Sequence, residues 1–191
     1  MAQLSYNNSM NTTRRLFVGI PLSASFRKRL VEEMRGWPKE AILTTTPENL
    51  HITIFFLGFV REENIASMCA KVGEVCQNME SFELVFHNMQ WVENSETPKM
   101  IWLVGEASDP LRRLRESIEK QFSAFIVEKK VYRPHITLAK IKKSKWLKLL
   151  DKPLLKEHLL LPEYVDTVCV FESLSLDGKR RYEPIETFVL K

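Results

Sequence analysis

Glycine and cysteine are scarce, at six and three of 191 residues. Six dispersed glycines leave little material for a phosphate-cradling loop or a dinucleotide fingerprint. Neither pattern occurs, so no nucleotide cofactor is expected. The chain has no Gly-x-Ser-x-Gly elbow, which sets serine-hydrolase chemistry aside. Cys69, Cys76 and Cys169 are odd in number and lack metal-site spacing, which argues against a disulfide scaffold and for a reducing, cytoplasmic setting. Zinc hydrolysis needs three or more clustered His, Cys or carboxylate ligands. Of the four histidines, His87 and His158 lie in no ligand-like spacing, so no metal is expected. No apolar run approaches the roughly 20 residues of a membrane span, and no membrane association is expected. Residues 1–13, rich in Asn, Ser and Thr, lack a signal-peptide core and read as a flexible tail. Residues 14–191 read as a single bilobal domain, expected to be monomeric.

The charge is modest in sum and uneven in place. The net value is +4, yet residues 129–156 carry ten Lys or Arg against Asp151 alone, leaving +9 there and −5 elsewhere. This cluster includes Arg133 and Lys140, and it predicts a polyanionic ligand nearby, weighed against an ordinary solvated lysine face.

What the chain does contain is one short pattern written twice: His51-Ile52-Thr53-Ile54 and His135-Ile136-Thr137-Leu138. In a strand, residues i and i+2 share a face, so each copy sets an imidazole beside a hydroxyl. Upstream, Leu16-Phe17-Val18-Gly19 and Trp102-Leu103-Val104-Gly105 are both apolar runs ending in glycine, 32 and 30 residues before their histidines. A strand, helix, strand unit used twice predicts a pseudo-twofold molecule with two facing His/Thr ledges.

Periodicity fills in the rest. A strand over 14–20 precedes a helix with Phe26, Leu30, Val31 and Met34 at helical spacing, capped by Ser23 or Ser25. Residues 44–49 read as a loop, Leu50 opens the first ledge strand, and a second helix buries Ile65, Met68, Cys69, Val72, Val75, Cys76 and Met79. Strands over 82–92 and 100–104 form hairpin neighbours. Asp109 is the expected cap of a third helix, with Pro110 in its first turn and a stripe of Leu111, Leu114, Ile118, Phe122 and Phe125. The second ledge strand is expected from Val131, a short helix over 144–150, and a closing hairpin about Asp177-Gly178; residues 151–162 carry no clear signal. The class is α+β with mainly antiparallel sheets.

Two imidazoles across a cleft can serve as acid and base in one turnover, since an ordinary pKa near 6.5 allows one charged and one neutral ring. Two threonine hydroxyls on the same face suit the non-bridging oxygens of a tetrahedral anion. The set fits metal-free phosphodiester cleavage. The symmetry leaves the acid and the base interchangeable.

Paired His-x-Thr motifs about 80 residues apart resemble the 2H phosphoesterase superfamily. The flanking text resembles its RNA 2′,3′-cyclic phosphodiesterase branch, also called 2′-5′ RNA ligase (LigT type). The match rests on Arg15-Leu16-Phe17-Val18-Gly19-Ile20-Pro21, Pro47-Glu48-Asn49-Leu50 before His51, Phe56-Leu57-Gly58, Arg133-Pro134 before His135, Ala139-Lys140 after Leu138, Phe171-Glu172-Ser173 and Tyr182-Glu183. The resemblance implies two antiparallel sheets forming a V-shaped cleft, helices outside, and hydrolysis of RNA ends or small cyclic nucleotides to a 2′-phosphate. By motif, His51 resembles the proton donor and His135 the proton acceptor, with Thr53 and Thr137 on phosphate oxygens. Lys140 stands where relatives commonly have arginine, keeping charge without the bidentate fork. Strict alternation turns it off the ledge, so a substrate contact requires a bulge or strand end. Arg133 is a candidate at the cleft mouth. Phe55 and Phe56 are candidate base contacts, each against the alternative of a core aromatic; alternation puts Phe55 on the ledge face and favours the core for Phe56. Ligation to 2′-5′ linkages, cleavage of 2′-5′ oligonucleotides and non-catalytic RNA binding are the rival activities.

Overall fold

A computed structural model of the chain describes residues 12–106, 108–123 and 132–191. Most of the tail, Phe125 of the helical stripe, and the expected strand start at Val131 lie outside them. In chain order the elements are β1 (Thr13–Pro21), α1 (Ala24–Glu33), β2 (Ile42–Thr44), a 3-10 turn (Pro47–Asn49), β3 (His51–Arg61), α2 (Glu62–Cys76), β4 (Phe82–Val92), β5 (Met100–Gly105), α3 (Asp109–Gln121), β6 (His135–Ile141), α4 (Lys143–Trp146), β7 (Leu161–Val165), β8 (Thr167–Leu176) and β9 (Lys179–Val189).

The strands form one nine-stranded sheet, ordered β7-β4-β5-β6-β3-β1-β8-β9, with β2 beside β6. All described pairings are antiparallel. The two expected sheets are therefore halves of one surface. One half is β3-β1-β8-β9 and the other β7-β4-β5-β6, and the described ladder between them is a single residue pair, Ile52 opposite Ile136. That pair is the middle residue of each His-Ile-Thr, so the seam of the pseudo-twofold runs through both motifs.

Local sequence explains the frame. Ser23 Oγ accepts from Phe26 N–H at 3.2 Å and so caps α1, whose Phe26 packs on Phe86 of β4. Glu163 of β7, buried, accepts from Ser23 N–H and Oγ–H at 2.5 and 2.8 Å, tying the start of α1 to the other half of the sheet. The α2 stripe buries Ile65, Met68, Cys69, Val72, Val75 and Cys76. Gly73 admits the Phe188 ring of β9, where a Cβ would stand 3.0 Å from it. Helix α3 is capped by Ser108, whose Oγ accepts from Leu111 N–H at 3.4 Å, and Asp109 is its first helical residue instead of the expected cap. The closing hairpin turns on Asp177 and Gly178, both at positive φ (49° and 71°), as a two-residue turn requires.

Strands β2 and β7 were not expected. Ile42–Thr44 is only three residues long, and its last residue falls in the stretch 44–49 that reads as a loop. In Leu161–Val165, Pro162 disguises a strand that tolerates it by lying at the sheet edge, paired to β4 alone.

Candidate active site

Extending the register from Ile52 and Ile136 sets His51 across from Thr137 and Thr53 across from His135, all four on the face opposite the buried Ile52, Ile54, Ile136 and Leu138. The four predicted residues thus form a square about the seam, with the imidazoles on its diagonal. All four side chains are half-buried.

Each imidazole is fixed in the same way. His51 Nδ1–H donates to the Asn49 carbonyl at 2.8 Å, and His135 Nδ1–H donates to the Arg133 carbonyl at 2.8 Å. A carbonyl only accepts, so in both neutral rings the proton sits on Nδ1 and the Nε2 lone pair is available. For His51 that lone pair accepts from the Thr53 hydroxyl at 2.9 Å. Burial lowers the His51 pKa to about 4, partly offset by its bond to Asn49, with the nearby charge of His135 adding a smaller downward push. Burial also lowers that of His135, against an upward pull from the Arg133 carbonyl. Both rings are therefore neutral at neutral pH. The first proton to enter suppresses the second, because the two sites feel each other.

The ledges end in matched bulges. Along β1, the partners of Val18 and Gly19 are Phe55 and Thr53, so the ladder skips Ile54. Along β5, the partners of Ile101 and Trp102 are Ala139 and Thr137, so the ladder skips Leu138. Each skipped residue is the fourth of its motif, and beyond it the facing reverses. Phe55 is consequently 9% exposed and stacks on Phe122 in the core, with centroids 6.0 Å apart. The expectation that Phe55 meets a base is corrected by this bulge. Phe56, read as core from alternation, is 64% exposed, pairs across β1 with Phe17 and lies on the ledge face. Its pseudo-twofold counterpart is Lys140, which the second bulge turns to the ledge face of β6, opposite Met100. Arg133 has an exposed side chain and serves His135 through its backbone.

The carbonyls at the bulges are held by residues distant in sequence. Tyr132 Oη–H donates to Thr53 O at 2.9 Å and Arg115 Nη1–H to Ile54 O at 3.0 Å. Arg115 stacks over the Tyr132 ring at 4.2 Å and pairs with Glu119. Burial pushes the Tyr132 phenol above its ordinary pKa, so it remains a protonated donor. On the second ledge Thr45 does both tasks, its Oγ–H donating to Thr137 O and its N–H to Leu138 O, each at 2.7 Å. None of these clamps has a sequence signature, because they join positions 61 to 93 residues apart. Tyr132→Phe leaves Thr53 O without that donor, and the expected cost is about 1–2 kcal/mol in urea denaturation.

The two ledges differ in what lies behind them. Thr53 pairs with Gly19, but Thr137 pairs with Trp102, so Gly19 is matched in space by Trp102 and not by Gly105. The two glycine-ended runs are thus displaced by three residues. Trp102 lies flat on His135, centroids 3.8 Å apart and planes 25° apart. His51 instead meets Phe17 at 4.9 Å and the edge of Tyr182 at 4.8 Å. Asn49 joins His51 to β9, donating through Nδ2–H to Arg180 O at 2.8 Å and accepting from Tyr182 N–H at 3.0 Å.

Of the basic cluster, Lys156 is paired with Glu33 at 2.7 Å and Lys152 lies over Trp146 at 5.3 Å. Lys129 and Lys130 fall outside the described residues. Among the described residues no three His, Cys, Asp or Glu side chains form a metal-sized group, and no helix is long and apolar enough to cross a membrane.

Known proteins are similar to this chain in sequence and fold. An RNA 2′,3′-cyclic phosphodiesterase of Thermotoga maritima is 29% identical over 143 residues, 72% of this chain and 76% of that one. The crystal structure of TT0787 from Thermus thermophilus superposes with a TM-score of 0.79 at 23% identity, covering 92% of this chain and 97% of that one. Escherichia coli LigT complexed with 3′-AMP gives 0.73 at 23%, covering 94% and 99%. The α+β fold of the LigT-like phosphoesterases is therefore the fold of this chain. Residues 23–176 match the family model as well, and the chain belongs to the 2′-5′ RNA ligase superfamily.

Proposed function

We propose that this chain hydrolyses the 2′,3′-cyclic phosphate at RNA ends, or on free nucleosides, to a 2′-phosphate, without a metal. The observation that carries the proposal is the pair of imidazoles with Nδ1–H committed to a backbone carbonyl, each beside a threonine on facing ledges. Nδ1 cannot change its proton, so each ring works through Nε2 alone. In the forward direction His135 Nε2 takes a proton from water as its oxygen attacks phosphorus. His51, protonated at Nε2, gives its proton to O3′ as the P–O3′ bond breaks, leaving the 2′-phosphate and a free 3′-hydroxyl. This order follows the family resemblance. Protonated His51 no longer accepts from Thr53, which frees that hydroxyl to donate to a non-bridging oxygen; Thr137 does the same from the other side. Phe56 and Lys140 flank the ledges, one suited to a base and the other to an anion.

The buried, unpaired cysteines fit a cytoplasmic protein, and burial raises Cys69 and Cys76 to about 12, which keeps them as inert thiols. The continuous sheet supports 14–191 as one bilobal domain.

The test is phosphorus NMR of a nucleoside 2′,3′-cyclic phosphate with the protein in excess EDTA. The expected result is conversion to the 2′-monophosphate alone. Appearance of the 3′-monophosphate, or turnover that stops with EDTA, contradicts the proposal. A 2′-5′-linked product formed with a 5′-hydroxyl oligonucleotide would reassign the site to ligation.

A further inference from the structure

A groove of about 1150 Å³ opens beside the His51 ledge. Its floor includes Phe171, Cys169 and Thr187 of β8 and β9; its walls are the start of α1, the Pro47–Asn49 turn and the β8–β9 hairpin. It reaches the ledge through Asn49, whose carbonyl fixes His51, and Tyr182, whose ring meets it. The volume exceeds the roughly 300–1,000 Å³ of sites for single small molecules. From Pro21 at the end of β1 to β9 it crosses two strand spacings, roughly 10 Å.

Five cations line it, Arg27, Lys28, Lys179, Arg180 and Arg181, against Glu48, Asp177 and Glu183. Arg181 is paired with Glu183 at 3.1 Å, and Arg180 donates to Ser173 Oγ at 3.1 Å. Arg27, Lys28 and Lys179 have no carboxylate partner among the described residues, and Lys28, Lys179 and Arg180 are exposed. These cations come from two places about 150 residues apart, Arg27-Lys28 and the run Lys179-Arg180-Arg181, both outside the basic stretch of 129–156, so the sequence does not show that they share one groove.

We infer that this groove is a track for single-stranded RNA, binding the backbone phosphates of the nucleotides that precede the cyclic end while that end sits between the ledges. The inference rests on the proposed cyclic phosphodiesterase reading and extends it, making the preferred substrate an oligonucleotide. Cations above an apolar floor continuous with the catalytic histidine suit a strand that presents phosphates and bases in alternation.

The experiment uses the full chain and the variant Lys28→Gln/Lys179→Gln/Arg180→Gln. Asn49 bonds only the backbone of Arg180, so the ledge support stays in place. The first readout is the ratio of kcat/KM for a pentaribonucleotide ending in a 2′,3′-cyclic phosphate to that for the mononucleoside. In wild type at low salt it is expected to exceed ten, and in the variant to fall at least tenfold. The second readout, independent of turnover, is fluorescence anisotropy of a labelled pentaribonucleotide ending in a 2′-phosphate. Binding is expected to weaken at least tenfold, with the slope of log K against log salt reduced by about 2, from three lost contacts at about 0.7 each. Unchanged anisotropy in the variant overturns the track, as does displacement of the oligonucleotide by poly-glutamate at equal charge concentration, which would reassign the groove to acidic protein. Loss of both hydrolytic activities in wild type, with anisotropy still responding to the variant, sinks the catalytic reading and leaves the track standing.

Discussion

His51→Ala and His135→Ala are each expected to lower kcat on a nucleoside 2′,3′-cyclic phosphate by about 10³–10⁴, the upper part of what positioned acid or base groups supply. The residual rate reflects binding and the threonine hydroxyls. Because the two rings act in one step, the double variant is expected to fall less than tenfold below the slower single one. His51 packs against Phe17 and Tyr182, so truncation also opens space beside them. His51→Gln keeps more of that volume without the imidazole's acid–base capacity. An equal loss in His51→Gln, with an unchanged melting temperature, separates proton transfer from packing.

Thr53→Val is expected to cost about 10²–10³ in kcat, the range seen when one donor to a developing oxyanion is removed. Valine keeps the branched shape. What disappears is a hydroxyl 2.9 Å from His51 Nε2 that alternates between the neutral ring and a phosphate oxygen. Thr53→Ser, which restores the hydroxyl and drops only a methyl, is expected to recover activity to within about tenfold of wild type. Equal damage from valine and serine would show that the methyl matters and the hydroxyl does not.

The ledges themselves were legible because period-2 facing holds over each motif: His51 and Thr53, like His135 and Thr137, point where alternation puts them. Beyond the fourth residue of each motif it fails. The bulges at Ile54 and Leu138 depend on how β1 and β5 pair, and no local pattern marks them. This is why Phe55 and Phe56 exchange expected places and why Lys140 reaches the ledge face. The internal repeat was visible as topology but offset in register, since matching glycines drew Gly105 against Gly19 when the sheet opposes Trp102 to Thr137. Tyr132, Arg115 and Thr45 act through main-chain carbonyls, which leave no trace in side-chain patterns. Asn49, by contrast, lies in the block that carries the family resemblance, and its carbonyl and side chain join His51 to β9.

The pH dependence of kcat/KM in the free enzyme tests the central claim most directly. The general base must be neutral, so activity rises with pH through its pKa; the general acid must be protonated, so activity falls above its own. Both rings lie below their ordinary 6.5, and His51 lies near 4. The account therefore predicts a bell whose maximum is below pH 6.5, with values belonging to the coupled pair. The alkaline limb of kcat is expected to move upward, since the bound phosphate anion favours a charged ring. Each single histidine variant should lose one limb. A profile flat from pH 5 to 8, or an alkaline limb that survives unchanged in both histidine variants, would contradict the paired-imidazole mechanism.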